Sequence, residues 1–157
     1  MKIEPGTKAP AFTLPDQEGN KVSLSQFKGK SVVLYFYPRD NTPGCTKEAQ
    51  SFRQVIGQLD QESIVLLGIS PDSVESHQKF AEKHQLPFAL LSDAKQEVLA
   101  KYGAFGEKLS FGKKTKGVIR STVWIDEQGR VKKHWSKVTK AAEHPAQVLA
   151  AIQQDRK

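Results

Sequence analysis

Two short apolar runs constrain the fold of this chain more than any other feature. Residues 31–37 and 64–70 consist almost wholly of β-branched, aromatic and aliphatic residues. Neither run alternates with polar residues, so each predicts a strand that is covered on both faces. From Thr42 to about Leu59, between the two runs, apolar residues recur at helical spacing. A strand, a helix and a second strand in this order predict an α/β fold with parallel strands and helices on both faces of the sheet.

Weaker patterns predict the rest of a single domain over residues 1–157. They are a hairpin turn at 17–20, a helix capped by Ser73, a strand at 88–91, a brief helix closing at Gly103, a strand at 117–125, a turn at 126–129, a second strand at 130–135 and a helix from Glu143 to Gln154. Residues 106–117 show little periodicity and predict a loop.

The chain contains one cysteine, Cys45, at the point where a strand, a turn and the start of a helix converge. Thr42 is a favourable N-cap and Pro43 suits the first helical position. Free backbone N–H groups and the helix dipole in the first turn favour an anion, and thiols in such positions ionise readily. A lone cysteine is usually a small buried hydrophobe. Here the surrounding Pro, Gly, Thr, Arg and Asp residues favour a loop, so we expect an accessible, reactive thiolate.

Thiolate chemistry needs further groups around the sulfur. The hydroxyl of Thr42 is placed to orient an oxygen, and Pro38 offers an apolar wall. Arg120 interrupts an apolar strand, and its guanidinium has the fork of donors that holds a thiolate and a substrate oxygen together. Glu48 lies one helical turn after Cys45. It is either the partner of that arginine or only a favourable carboxylate near the start of the helix.

Composition and charge limit the other possibilities. The net charge is +7, with basic residues gathered at 113–116 and 130–137. Residues 130–135 alternate as on a strand with one wet face, which favours a solvated surface over a nucleic-acid site, although a nucleic-acid-binding or holdase-type protein stays an alternative.

The four histidines lack the spacing of a metal site. No apolar run approaches the length of a membrane span and no signal sequence precedes the domain, so we expect a cytoplasmic protein without membrane association.

The pattern Pro38-x-x-x-Thr42-x-x-Cys45, followed by Thr-x-Glu-Ala and by Arg-Ser-Thr from Arg120, resembles the peroxiredoxins. Residues 41–49 look most like the Q-type, or bacterioferritin-comigratory, branch, and the similarity runs over nearly the whole chain. It implies a thioredoxin-like fold with an N-terminal β extension and a central mixed sheet flanked by helices. It also implies reduction of hydrogen peroxide and alkyl hydroperoxides, for antioxidant defence and redox homeostasis, with no cofactor: no metal, haem or flavin.

The same resemblance implies roles for individual residues. Cys45 is the peroxidatic cysteine and forms a sulfenic acid, Thr42 and Arg120 are catalytic, and Pro38 and Gly44 contact the peroxide. Glu48 supports the site as described above.

One departure from the family pattern concerns the resolving cysteine. Many Q-type members carry it five residues after the first, where this chain has Gln50. We therefore expect a one-cysteine cycle completed by an external thiol (thioredoxin, glutaredoxin or glutathione), and the resemblance favours a monomer. A thioredoxin-like thiol–disulfide oxidoreductase is a second alternative, but it is expected to carry Cys-x-x-Cys, which this chain lacks.

Overall fold

The computed structural model describes residues 3–110 and 112–156, and for residues 108–110 the backbone alone. These residues form nine strands and four α-helices. In chain order they are β1 (Thr13–Pro15), β2 (Lys21–Ser23), β3 (Ser31–Phe36), α1 (Pro43–Gln61), β4 (Ile64–Ser70), α2 (Val74–His84), β5 (Ala89–Ser92), α3 (Glu97–Lys101), β6 (Phe105–Ser110), β7 (Lys113–Val118), β8 (Ser121–Ile125), β9 (Val131–Trp135) and α4 (His144–Asp155).

A mixed five-stranded sheet forms the centre, in the order β5-β4-β3-β8-β9. Strands β3, β4 and β5 are parallel, as the crossover argument predicts, whereas β8 and β9 run antiparallel to their neighbours. The β1–β2 hairpin is a separate two-stranded sheet before the core, with its turn at the predicted position. The expected mixed sheet, flanking helices and N-terminal β extension are therefore confirmed.

Alternate residues of β3 belong to two apolar clusters, which explains why this strand has no polar face. Val33 and Tyr35 pack in a cluster that also contains residues of α1, α2 and α4. Val32 and Leu34 pack in a second cluster with residues of α3 and the N-terminal segment. Because β3 is the middle strand and is covered on both sides, the residues that follow it are held between the layers.

Gly68 in β4 makes room for the contact that seats α1 on the sheet. A Cβ at this position would lie 2.8 Å from Cζ of Tyr35. The Tyr35 ring stacks on Phe52 of α1 with 4.5 Å between centroids. Any side chain at position 68 would push this aromatic pair away and displace α1, whose first turn lies at the carboxyl end of β3.

Two sequence-based predictions in the second half are wrong. Residues 106–110 and 113–117, within the expected loop, instead form the paired strands of the antiparallel β6–β7 hairpin. Its second strand is charged and mostly exposed, so backbone hydrogen bonding defines it and no apolar pattern marks it. The single strand expected over 117–125 is broken between β7 and β8. There the N–H of Ile119 bonds the carbonyl of Ala104 and the carbonyl of Arg120 accepts from Val138.

The basic stretch after the β8–β9 turn also differs from its predicted pattern. Lys132 and Lys133 are both exposed, so the wet and dry faces do not alternate as expected. The ammonium of Lys133 lies 5.0 Å from the centroid of the Trp135 ring, and that of Lys132 lies 3.4 Å from a carboxylate oxygen of Asp155. These contacts hold both lysines on the protein surface. Within the described residues, no helix is both long and apolar enough to cross a membrane.

Candidate active site

Cys45 lies in the first turn of α1, as predicted. Thr42 is the N-cap residue, and Pro43 is the first residue of the helix. The first backbone hydrogen bond of the helix runs from the N–H of Thr46 to the carbonyl of Thr42, at 2.9 Å. The N–H groups of Gly44 and Cys45 therefore precede the intrahelical pattern and have no acceptor within the helix.

The expectation of an accessible sulfur is wrong, because Cys45 is only 1% exposed. Its side chain belongs to the apolar cluster that contains Ala49 and Phe52. These three residues follow one another at i, i+4 and i+7, the spacing of a buried helical face. That spacing was the available signal in the sequence, and the loop-like neighbours obscured it.

Arg120 bridges the sulfur and a buried carboxylate. Its Nη2 donates to Sγ of Cys45 at 3.2 Å, and its Nη1 donates to Oε1 of Glu48 at 2.7 Å. A Cβ at position 44 would lie 3.2 Å from the same Nη2, so glycine allows the guanidinium to approach the helix. The structure thus brings together four of the predicted site residues: Cys45, Arg120, Glu48 and Gly44.

The charged groups of this cluster are largely buried. Burial opposes the positive charge of Arg120, but the Glu48 carboxylate and the Cys45 sulfur outweigh that effect and raise its pKa. Burial also raises the pKa of Glu48 to about 7, although Arg120 acts in the opposite direction. Among the described atoms, Oε2 of Glu48 has no hydrogen-bond partner, which accords with a carboxyl group that holds its proton easily.

Replacing Glu48 with glutamine is expected to remove a pH dependence of the free energy of unfolding. Because the pKa of Glu48 rises from the usual 4.5 to about 7 on folding, the folded protein retains a proton that the unfolded chain releases. Its stabilising contribution is present below pH 4.5 and is lost as the pH rises through 7. Relative to Glu48→Gln, wild type should lose about 3 kcal/mol of unfolding free energy as the pH rises across this window. Urea titrations at a series of pH values measure this loss. Glu75→Gln, at an exposed position of α2, is the matched control, and parallel profiles for wild type and Glu48→Gln would contradict the assignment.

Thr42 and Pro38 lie in the segment between β3 and α1. The hydroxyl of Thr42 donates to the carbonyl of Arg39 at 2.9 Å and makes no capping hydrogen bond, so its expected N-cap position is confirmed but a capping role of its side chain is not. Pro38 is half-buried, two residues after the end of β3. Gln50, where a resolving cysteine would stand, is exposed, and its amide lies 3.4 Å from Nδ1 of His84.

Sequence reasoning missed a buried polar cluster beneath this segment. Oδ2 of Asp40 lies 2.7 Å from Nδ1 of His77. The carboxylate oxygens and ring nitrogen that Asp40, Asp72 and His77 could offer to a metal ion all lie within 4.8 Å of one another. Oδ1 of Asp40 accepts from Tyr37, and Oδ2 of Asp72 accepts from Ser70 and from the Asp40 backbone. Protein donors thus occupy the oxygens, which is the geometry of a hydrogen-bond network. No sequence spacing links residues 37 positions apart.

Comparison with known proteins accords with this geometry. A model of the AhpC/TSA family matches residues 5–134. The chain is 53% identical over 152 residues to the putative peroxiredoxin bcp of Coxiella burnetii, covering 97% of this chain and 100% of that protein. It is 46% identical to the peroxiredoxin Bcp of Bacillus subtilis, covering 97% and 96%. The bacterioferritin comigratory protein of Xanthomonas campestris, described for its alkyl peroxide reduction activity, superposes with a TM-score of 0.90 at 34% identity over 98% of this chain and 100% of that one. The expected thioredoxin-like fold is confirmed.

Proposed function

Because the chain belongs to the AhpC/TSA family and its relatives include bacterial peroxiredoxins, we propose that it is a thiol-dependent peroxidase. It reduces hydrogen peroxide and alkyl hydroperoxides through Cys45, in antioxidant defence and redox homeostasis. The observation that carries this proposal is the 3.2 Å contact between the sulfur, in the first turn of α1, and the guanidinium of Arg120. The guanidinium is a fixed cation with several donors, so it can pair with a sulfur anion and with an oxygen bound beside it.

In the first step the thiolate of Cys45 attacks the terminal oxygen of the hydroperoxide. The S–O bond forms as the O–O bond breaks, so the sulfur is oxidised by two electrons to a sulfenic acid that carries the terminal O–H. The other oxygen leaves with the electron pair and takes a proton to become an alcohol, or water when the substrate is hydrogen peroxide. Arg120 lies beside the reacting sulfur and stabilises the charge that develops on the leaving oxygen.

Two further groups orient the substrate. Because the hydroxyl of Thr42 donates its single proton to the carbonyl of Arg39, its oxygen is available as an acceptor for the O–H of the hydroperoxide. The N–H groups of Gly44 and Cys45, which have no acceptor within the helix, are the donors for an oxygen anion. Pro38 excludes water from one side. In this proposal, Thr42 aligns the peroxide, and Arg120 and the helix start stabilise the transition state.

An external thiol completes the cycle, because the chain has no second cysteine. The thiol attacks the sulfenic sulfur, forming a mixed disulfide and releasing water. A second thiol then attacks the disulfide, releasing Cys45 as a thiol and the reductant as its disulfide. Thioredoxin, glutaredoxin and glutathione are the reductants to compare, and the cycle runs in a monomer.

A coupled peroxidase assay with each reductant tests this function. Peroxide-treated protein is expected to carry one dimedone adduct, on Cys45, and to show no intrachain disulfide by mass spectrometry, because one cysteine cannot form one. Turnover should require added thiol beyond the first equivalent of peroxide. Protein that forms no dimedone adduct, and consumes no peroxide with any of the three reductants, would refute the proposal.

A further inference from the structure

Asp40 ties the segment between β3 and α1 to the rest of the protein. Its Oδ1 accepts from the hydroxyl of Tyr37 at 2.6 Å, and its Oδ2 accepts from the hydroxyl of Ser76 at 2.8 Å. Oδ2 also lies 2.7 Å from Nδ1 of His77, with both side chains at most 1% exposed. Two contacts from α2 and one from within the segment therefore converge on one buried carboxylate.

The position of one proton in this pair follows from its neighbours. Nε2 of His77 lies 3.0 Å from the carbonyl oxygen of Leu91, which only accepts, so Nε2 carries a hydrogen. Nδ1 faces the carboxylate of Asp40 at 2.7 Å, and two lone pairs at that distance repel. A second proton must therefore lie between Nδ1 and Oδ2. The pair has no net charge, and its hydrogen bond is charge-assisted when the proton is on His77.

The backbone of the same residue is fixed as well. The N–H of Asp40 donates to Oδ2 of Asp72 at 2.8 Å, and the hydroxyl of Ser70 donates to the same oxygen at 2.7 Å. On one side of Asp40 the carbonyl of Arg39 accepts from the Thr42 hydroxyl. On the other, Asn41 has a φ of 64°. Asparagine adopts this left-handed conformation more readily than most residues, so it suits the turn that leads from Asp40 to Thr42.

We propose that Asp40 and His77 form a positioning pair for the peroxidase reaction, an inference that rests on the proposed function. The pair joins α2 to the segment that carries Pro38 and Thr42, although neither member contacts the sulfur in any of the hydrogen bonds described. It holds the carbonyl of Arg39 where Thr42 can donate to it, and so keeps the oxygen of Thr42 directed at the substrate. Misplacement of a reactive group by about 1 Å costs up to about 100-fold in rate, so the pair should act on chemistry as well as on stability.

The test compares Asp40→Ala, His77→Ala and the double variant in single-turnover oxidation of Cys45 by hydrogen peroxide. Each single variant is expected to lower the second-order rate constant about 10- to 100-fold. The double variant should be no slower than the worse single one by more than about twofold, because both substitutions remove the same contact. It also removes the polar group that each single variant leaves buried and unpaired, so it keeps the test valid if a single variant folds poorly.

Two controls separate positioning from stability. Asp40→Asn can still hydrogen-bond a neutral His77 and should recover most of the rate that Asp40→Ala loses. Val131→Ala removes methyl groups from the second apolar cluster, so it should lower the melting temperature and leave the rate unchanged. Wild-type rates in Asp40→Ala and the double variant would overturn the inference, as would an equal loss in Val131→Ala.

Amide hydrogen exchange makes the inference independent of activity. The N–H groups of Thr42, Gly44 and Cys45 should exchange faster in Asp40→Ala and in the double variant than in wild type, and at the wild-type rate in Val131→Ala. If wild-type protein proved inert to peroxide, the proposed function would fail, and unchanged exchange in Asp40→Ala and the double variant would separately overturn the positioning role.

Discussion

Peroxide consumption is expected to fall to the uncatalysed background when Cys45 is replaced by serine. The two side chains are nearly equal in size, and the serine hydroxyl can still accept from Nη2 of Arg120, so the fold should be retained. A serine hydroxyl does not ionise near neutral pH without an adjacent base, and the described contacts of position 45 include a guanidinium and no base. The chain holds no other thiol to take over the reaction. Initial rates in the coupled assay measure the effect.

Gln50→Ser is the matched control, because it introduces serine at an exposed position of the same helix. It should keep the wild-type rate, and both variants should show the far-UV circular dichroism of wild type. Peroxide consumption by Cys45→Ser within tenfold of wild type would rule out Cys45 as the nucleophile.

Arg120→Lys is expected to lower the rate of sulfenic acid formation by about 100- to 1,000-fold. The guanidinium reaches Sγ of Cys45 with one nitrogen and Oε1 of Glu48 with the other. A lysine ammonium is a single point charge and cannot occupy both positions. If the ammonium pairs with the buried carboxylate of Glu48, the sulfur and the departing oxygen are left without a cation. Stopped-flow measurement of Cys45 oxidation under excess peroxide reports this step alone.

Stability and catalysis are separable at this arginine. Arg120→Met leaves the carboxylate of Glu48 buried without a partner, which should cost about 3–5 kcal/mol of unfolding free energy. Adding Glu48→Gln should restore most of that stability and none of the activity. Arg130→Lys, at an exposed arginine that bonds the carbonyl of Gly6, is the control and should match wild type. An Arg120→Lys protein that reacts at the wild-type rate would remove Arg120 from the mechanism.

The central elements of the fold were predictable because their patterns are local. Strands β3 and β4 are apolar on both faces, and α1 has helical spacing together with a proline at its first position. These patterns place Cys45 in the first turn of a helix without any tertiary information. The role of Glu48 as the partner of Arg120 was one of two alternatives, and only the 2.7 Å ion pair decides between them.

Elements stabilised by long-range contacts were not predictable from local patterns. The β6–β7 hairpin is rich in lysine and glycine, and its backbone pairing leaves no apolar period in the sequence. The break before β8 depends on backbone bonds to Ala104 and Val138, which are distant in the chain. The Asp40–His77 contact likewise joins two ordinary surface-type residues that become buried only after α2 packs beside β5.

The near-complete covering of Cys45 limits the size of the molecule that can reach the sulfur. A hydrogen peroxide molecule has two heavy atoms and needs little free volume to reach the sulfur. A reducing thiol is bulkier, and it must approach the sulfenic sulfur along the S–O axis, from the side opposite the departing oxygen. The atoms that shield the sulfur have to move before that approach is geometrically feasible. Reduction of the sulfenic acid therefore depends on how often the first turn of α1 opens. Oxidation by peroxide needs that turn to be rigid, whereas reduction by a thiol needs it to move.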